Sequence, residues 1–131
     1  MIPGTQQLRQ IPAWQQALAR AVTDPGELLE MLGLSRDLLP GAHAAGRYFP
    51  LRVPRGFVAR MRRGDPQDPL LRQVLPLDEE CCEVPGFGAD PVGDLAAMAA
   101  PGVLHKYQGR VLLTVTGACA VHCRYCFRRH Y

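Results

Sequence analysis

At 131 residues and 14.4 kDa the chain has the length of one ordinary domain, and 47% hydrophobic residues supply enough apolar material for a core, which excludes a disordered tail. A formal charge of +3 is too mild for a chain whose main task is coating nucleic acid. Fourteen of the fifteen basic residues are arginine, and Lys106 is the sole lysine, so chemistry that needs a Schiff-base amine has one candidate.

The first residues, Met1 to Gln7, carry neither a basic stretch nor an apolar one, and no segment approaches the roughly 18 apolar residues of a membrane span. The expected compartment is the cytoplasm. Ala13 to Val22 places Trp14, Ala17, Leu18, Ala21 and Val22 at helical spacing, which predicts a helix with one apolar side. Asp24-Pro25-Gly26-Glu27 is a helix start: Asp24 accepts the first amides, Pro25 suits the first helical position and Glu27 is placed for a capping box. Gly33 suits its end. A shorter helical turn follows at Ser35 to Leu39, stopped by Pro40-Gly41.

Between Pro50 and Arg63, Phe57, Val58 and Met61 are expected to face a core, while Arg55, Arg60, Arg62 and Arg63 form a solvated face, with an anionic partner as the alternative. Gly64 to Pro69 breaks the chain, and Leu70 to Val74 is one more helical turn. Pro76 to Gly102 reads as an ordered connector with a short helix at Asp94 to Ala100, using Leu77, Val84, Phe87 and Leu95 as packing residues. No internal repeat or low-complexity segment occurs.

The last quarter changes character. Val103 to Tyr107, Gln108-Gly109, then Arg110 to Thr116 is a hairpin whose second strand is almost continuously apolar, the pattern of a strand buried on both faces. No Asp or Glu follows Asp94, whereas Lys106, Arg110, Arg124, Arg128 and Arg129 do. The positive charge is concentrated where the cysteines are.

The strand leads into Cys119, Cys123 and Cys126, a C-x-x-x-C-x-x-C loop. Three thiolates on one compact loop can point to a common centre, and soft thiolates favour iron–sulfur clusters or zinc. A four-iron cluster normally takes four cysteines, so a loop offering three leaves one iron open for chemistry. The competing reading is a structural zinc site with His122 or His130 as fourth ligand. An odd total of five cysteines without a secretion signal disfavours a disulfide framework, and the adjacent Cys81 and Cys82 read as packing or incidental thiols.

The cysteine spacing resembles the signature of the radical S-adenosylmethionine enzymes. The segments 104–113 and 123–130, with 68–76 and 88–91, resemble the lysine 2,3-aminomutase family more narrowly, and within it the branch that makes (R)-β-lysine for translation elongation factor P. The resemblance covers about half the chain strongly and the N-terminal helices loosely. It implies an α/β fold, the partial (β/α) barrel of the radical S-adenosylmethionine enzymes. This chain would carry a mainly helical N-terminal region and connector (1–102), then a β-hairpin and the first barrel strand with its cluster loop (103–131).

The resemblance also implies an isomerase of the amino-transferring type, with L-lysine as substrate and a [4Fe-4S] cluster, S-adenosyl-L-methionine and pyridoxal 5′-phosphate as cofactors. Cys119, Cys123 and Cys126 would hold three irons, the fourth being chelated by S-adenosylmethionine. Tyr125 matches the residue beside the adenine, where an aromatic ring can stack on a base. Tyr107 and Arg110 match positions that hold the pyridoxal phosphate group, and Lys106 lies where the family often has a further basic contact. Arginine suits a phosphate because its planar fork donates in pairs. Arg128 matches the arginine that grips the substrate's carboxylate, and Arg129 is a neighbouring or surface charge. Implied partners are an electron donor protein and a downstream ligase acting on elongation factor P. Neither a membrane nor direct contact with nucleic acid is expected.

The family's aldimine lysine lies far downstream, and the sole lysine of this chain occupies a phosphate-side position, so no catalytic lysine is assigned. A complete barrel takes on the order of 250 residues. The chain is therefore expected to be the N-terminal part of a longer enzyme and to lack aminomutase activity alone. The alternatives are another amino-acid 2,3-aminomutase and, from a different class, a small zinc-stabilised module that binds nucleic acid through Arg124, Arg128 and Arg129.

Overall fold

The computed structural model describes residues 12–126 and Arg129. Helix α1 (Ala13–Ala19) comes first, and it buries no residue; Trp14 is 62% exposed. The expected helix over Ala13 to Val22 thus stops early. Val22 leaves it to pair with Val53 in an isolated antiparallel bridge, with reciprocal backbone bonds of 2.8 and 3.0 Å. The pairing places Val22 at 0% exposure, burial that α1 does not provide.

Helix α2 (Pro25–Leu32) follows its sequence signals closely. Asp24 Oδ2 accepts the Glu27 N–H at 2.7 Å, Pro25 occupies the first turn, and Gly33 caps the end in the left-handed conformation at φ 64°. The capping box is only half made, because the Glu27 carboxylate accepts from Arg55 instead. A 3₁₀ turn (Arg36–Leu38) leads into α3 (Leu39–Gly46), and α4 (Arg55–Val58) is a single turn.

These helices close around one core, in which Leu28, Leu29 and Leu32 of α2 meet Ala42 of α3, Val58 and Met61, and Leu71, Val74 and Leu75. Each fully buried leucine contributes about 1.5–3 kcal/mol relative to exposure. As expected, Val58 and Met61 are buried while Arg60, Arg62 and Arg63 lie at the surface. Asp68, 3% exposed, organises the turn that follows. Its carboxylate accepts the amides of Leu70, Leu71 and Arg62 at 2.9, 3.0 and 3.1 Å, fixing the 3₁₀ turn Leu71–Gln73.

A third 3₁₀ turn, Asp78–Cys81, packs against α3. Gly41 permits the approach, since a Cβ there would stand 3.0 Å from both Cβ and Cγ of Asp78. The rest of the connector departs from expectation. Leu77 packs on the core, but Val84, Phe87 and Leu95 are 51%, 84% and 42% exposed, and Cys81 and Cys82 are exposed rather than packed. Asp94 to Ala100 is not a helix. It makes turns to Met98, and Met98–Ala100 then becomes β1, because the chain reverses after it and β2 supplies ladder partners.

Strands β2 (Val103–Tyr107) and β3 (Arg110–Leu113) form the expected hairpin, and the sheet order is β1-β2-β3, antiparallel throughout. The register pairs Leu104 with Leu112 and Tyr107 with Arg110. The second strand was expected to run to Thr116 and to be buried on both faces. It ends at Leu113, and Val111, Leu113 and Val115 are 59%, 60% and 82% exposed. An apolar run reports what a strand is able to bury; the described residues place no layer over this one. The observed fold is mixed helix and small antiparallel sheet. No helix among the described residues is long and apolar enough to cross a membrane.

Candidate cofactor site

Two groups of residues singled out by sequence are placed by this framework. The first is the cysteine loop. Thr116 Oγ1 accepts the Ala118 N–H at 3.1 Å as the chain leaves β3, and Cys123 to Cys126 is a turn closed by Cys126 N–H donating to the Cys123 carbonyl at 3.0 Å. Cys119, Cys123 and Cys126 are half-buried thiols. Among the described residues, no three His, Cys, Asp or Glu side chains converge in a metal-holding arrangement. The donor set, three soft thiolates on eight consecutive residues, suits an iron–sulfur cluster or zinc by its chemistry. Tyr125 stands between two of them and is 75% exposed. Arg128 and His130 lie outside the described residues.

The loop is fastened to the helical region by residues to which sequence assigned no such task. Val121 packs against the core. His122 donates its backbone N–H to the Arg52 carbonyl at 2.9 Å, and its Nδ1 lies 2.9 Å from the Pro50 carbonyl, an acceptor that requires the proton to sit on Nδ1. Its ring stacks on Phe49 at 4.9 Å. Arg124 donates its backbone N–H to the Gln73 carbonyl at 2.8 Å, and the residue is buried, 8% exposed. Nε and one terminal nitrogen fork onto the two Glu80 oxygens at 2.8 and 2.7 Å, while the other nitrogen donates to the Phe49 carbonyl at 2.7 Å.

Glu80 is saturated. It accepts from Arg124 twice, from Arg129 at 2.9 Å and from the Leu77 N–H at 3.2 Å, and Arg129 donates also to the Arg124 carbonyl at 2.9 Å. Burial pushes the Glu80 carboxyl up, but the hydrogen bonds and charge of Arg124, with help from Leu77 and Arg129, outweigh it and hold the group below its ordinary value. Both guanidiniums are engaged by one carboxylate and lie over the Phe49 ring, at 5.2 and 5.6 Å. The only sequence signal for this network is Glu80 as the third residue of the acidic run Asp78-Glu79-Glu80 in a short turn, where a glutamate is ordinarily a cap.

The second group is the hairpin cleft, about 720 Å³, where Lys106, Tyr107 and Arg110 come together with Asp94, Val92 and Leu112. Arg110 lies over the Tyr107 ring at 5.3 Å. Lys106 Nζ donates to Asp94 Oδ1 at 3.0 Å and to the Val92 carbonyl. The Asp94 bond raises the Lys106 pKa despite partial burial, so its amine stays protonated. A protonated amine can donate to a phosphate and is a poor nucleophile.

No protein-family model matches the chain. Among curated proteins it is similar to the L-lysine 2,3-aminomutase of Escherichia coli, 50% identical over 119 residues, which is 90% of this chain and 34% of that protein. The L-lysine 2,3-aminomutase of Haemophilus influenzae is 42% identical over 131 residues, all of this chain and 39% of the relative. That of Buchnera aphidicola is 40% identical over 119 residues, 90% and 35% of the two chains. The chain spans between a third and two fifths of the length of these relatives.

Proposed function

The chain belongs to the L-lysine 2,3-aminomutase family, and from that premise we propose that it supplies the radical-generating and phosphate-holding portion of an isomerase that converts L-α-lysine to (R)-β-lysine. The observation that supports this most is the three-cysteine loop, seated on the helical region by Val121, His122 and Arg124 directly after a hairpin whose basic residues line one cleft.

In this reading Cys119, Cys123 and Cys126 hold a [4Fe-4S] cluster, and Tyr125 offers its exposed ring to the adenine of S-adenosyl-L-methionine. Arg110 and protonated Lys106 bind the phosphate of pyridoxal 5′-phosphate, with Tyr107 beside them under the Arg110 guanidinium. Arg128 binds the carboxylate of L-lysine. When bound, these cofactors supply a carbon radical and the electron sink that lets an amino group move between neighbouring carbons. The chain's own contribution is to bind, orient and neutralise charge. The product serves the modification of translation elongation factor P by a downstream ligase, an electron donor protein feeds the cluster, and the reduced thiols suit a cytoplasmic setting.

The test is reductive cleavage of S-adenosylmethionine by the anaerobically reconstituted chain. Release of 5′-deoxyadenosine, abolished in Cys123→Ser and retained in a Cys81→Ser/Cys82→Ser variant, is the expected result. Reconstituted protein that releases none, or a Cys123→Ser variant that matches the parent, contradicts the proposal.

A further inference from the structure

We propose that Glu80 is a positioning residue for the cysteine loop: through Arg124 its carboxylate sets the turn between Cys123 and Cys126 in place before any metal arrives. The inference rests on the reading of that loop as a cluster site and adds to it a residue that is nearly forty positions upstream.

Arg124 lies inside the motif, between the second and third cysteines, so whatever fixes its main chain fixes theirs. Its backbone is tied to Gln73 and its side chain to Glu80 and Phe49. Arg129 returns from beyond Cys126 to the same Glu80 oxygen that Arg124 uses and to the Arg124 carbonyl, so the brace grips the turn from both sides. Glu80 is itself held, by the Leu77 amide and by the packing of its turn on α3 where Gly41 leaves room for Asp78. A carboxylate that receives four donors has one geometry, and the loop inherits it. The three thiolates of a bound cluster repel one another, and a turn shaped in advance avoids ordering them at the moment of binding. Groups that orient a metal's ligands typically change its affinity by about ten- to a hundredfold when removed.

Two measurements on the whole chain test this. The first is metal-free and needs no variant: the Arg124 amide, buried against Gln73, should be protected from hydrogen exchange, and exchange at the rate of an unstructured peptide overturns the proposal. The second compares Glu80→Gln and Glu80→Asp by the alkylation rates of Cys123 and Cys126, resolved by peptide mass, and by cobalt(II) affinity from thiolate charge-transfer absorption. Glu80→Gln should alkylate faster and bind cobalt about ten- to a hundredfold more weakly, with Glu80→Asp recovering part of both. A Glu80→Gln chain that matches the parent in both readouts overturns it. A parent chain that binds no cobalt sinks the cluster reading instead, while exchange and alkylation still decide whether Glu80 orders the turn.

Discussion

Arg124 meets Glu80, forty-four residues earlier, through two parallel hydrogen bonds of 2.8 and 2.7 Å, with side chains 7% and 17% exposed. Removing one partner strands the other charge where water reaches it poorly, which is why breaking a buried pair costs far more than the pair contributes net. Arg124→Met alone is expected to destabilise the chain by about 3–5 kcal/mol. The Arg124→Met/Glu80→Gln double variant should lose clearly less than the sum of the singles, as urea unfolding of the four chains will show.

The helical core is a second place where magnitude decides. Leu71, the first residue of the 3₁₀ turn Leu71–Gln73, is fully buried in the core that also holds Leu28, Leu29 and Leu32 of α2. Leu71→Ala should cost about 2–5 kcal/mol through lost burial and the cavity left behind, measured as a lower urea midpoint at unchanged slope. Trp14→Ala, on the exposed α1, should change stability by less than about 0.5 kcal/mol.

Asp68 gives the pH dependence. The Leu71 amide, with those of Arg62 and Leu70 and the Arg62 charge, holds its carboxyl below the ordinary 3.8 against the upward push of burial. A group depressed on folding adds stability that is present above its unfolded value and is lost as pH falls through the folded one. Thermal stability should therefore fall as pH drops below about 3.8. In Asp68→Asn this acid-dependent component should shrink, and melting curves across that window check it.

How much of this was legible beforehand depended on the kind of signal. The α2 helix was readable because Asp24, Pro25 and Gly33 act locally, through the amides and φ angles of their immediate neighbours. The β2–β3 hairpin was readable for the same reason. Asp94 to Ala100 was misread because its outcome depends on ladder partners offered by β2, and Val22 because its partner, Val53, is thirty-one residues away. The cysteine spacing announced a site, while the Glu80 brace and the Lys106–Asp94 pair are contacts between distant segments that no local pattern encodes.

That Lys106–Asp94 pair carries a prediction of its own. Asp94 competes with any phosphate for the ammonium, and both side chains are near the surface, where such a pair is weak. Asp94→Asn should strengthen pyridoxal phosphate binding by about two- to fivefold, and Arg110→Ala should weaken it, by absorbance titration.

The most direct measurement is iron and sulfide analysis of the chain after anaerobic reconstitution, with its absorption spectrum. The account predicts a brown protein with absorption near about 400 nm and about four irons per chain, lost in Cys119→Ser, Cys123→Ser and Cys126→Ser and kept in Cys81→Ser/Cys82→Ser. A colourless chain holding a single zinc, or a cluster that survives Cys123→Ser, would contradict it.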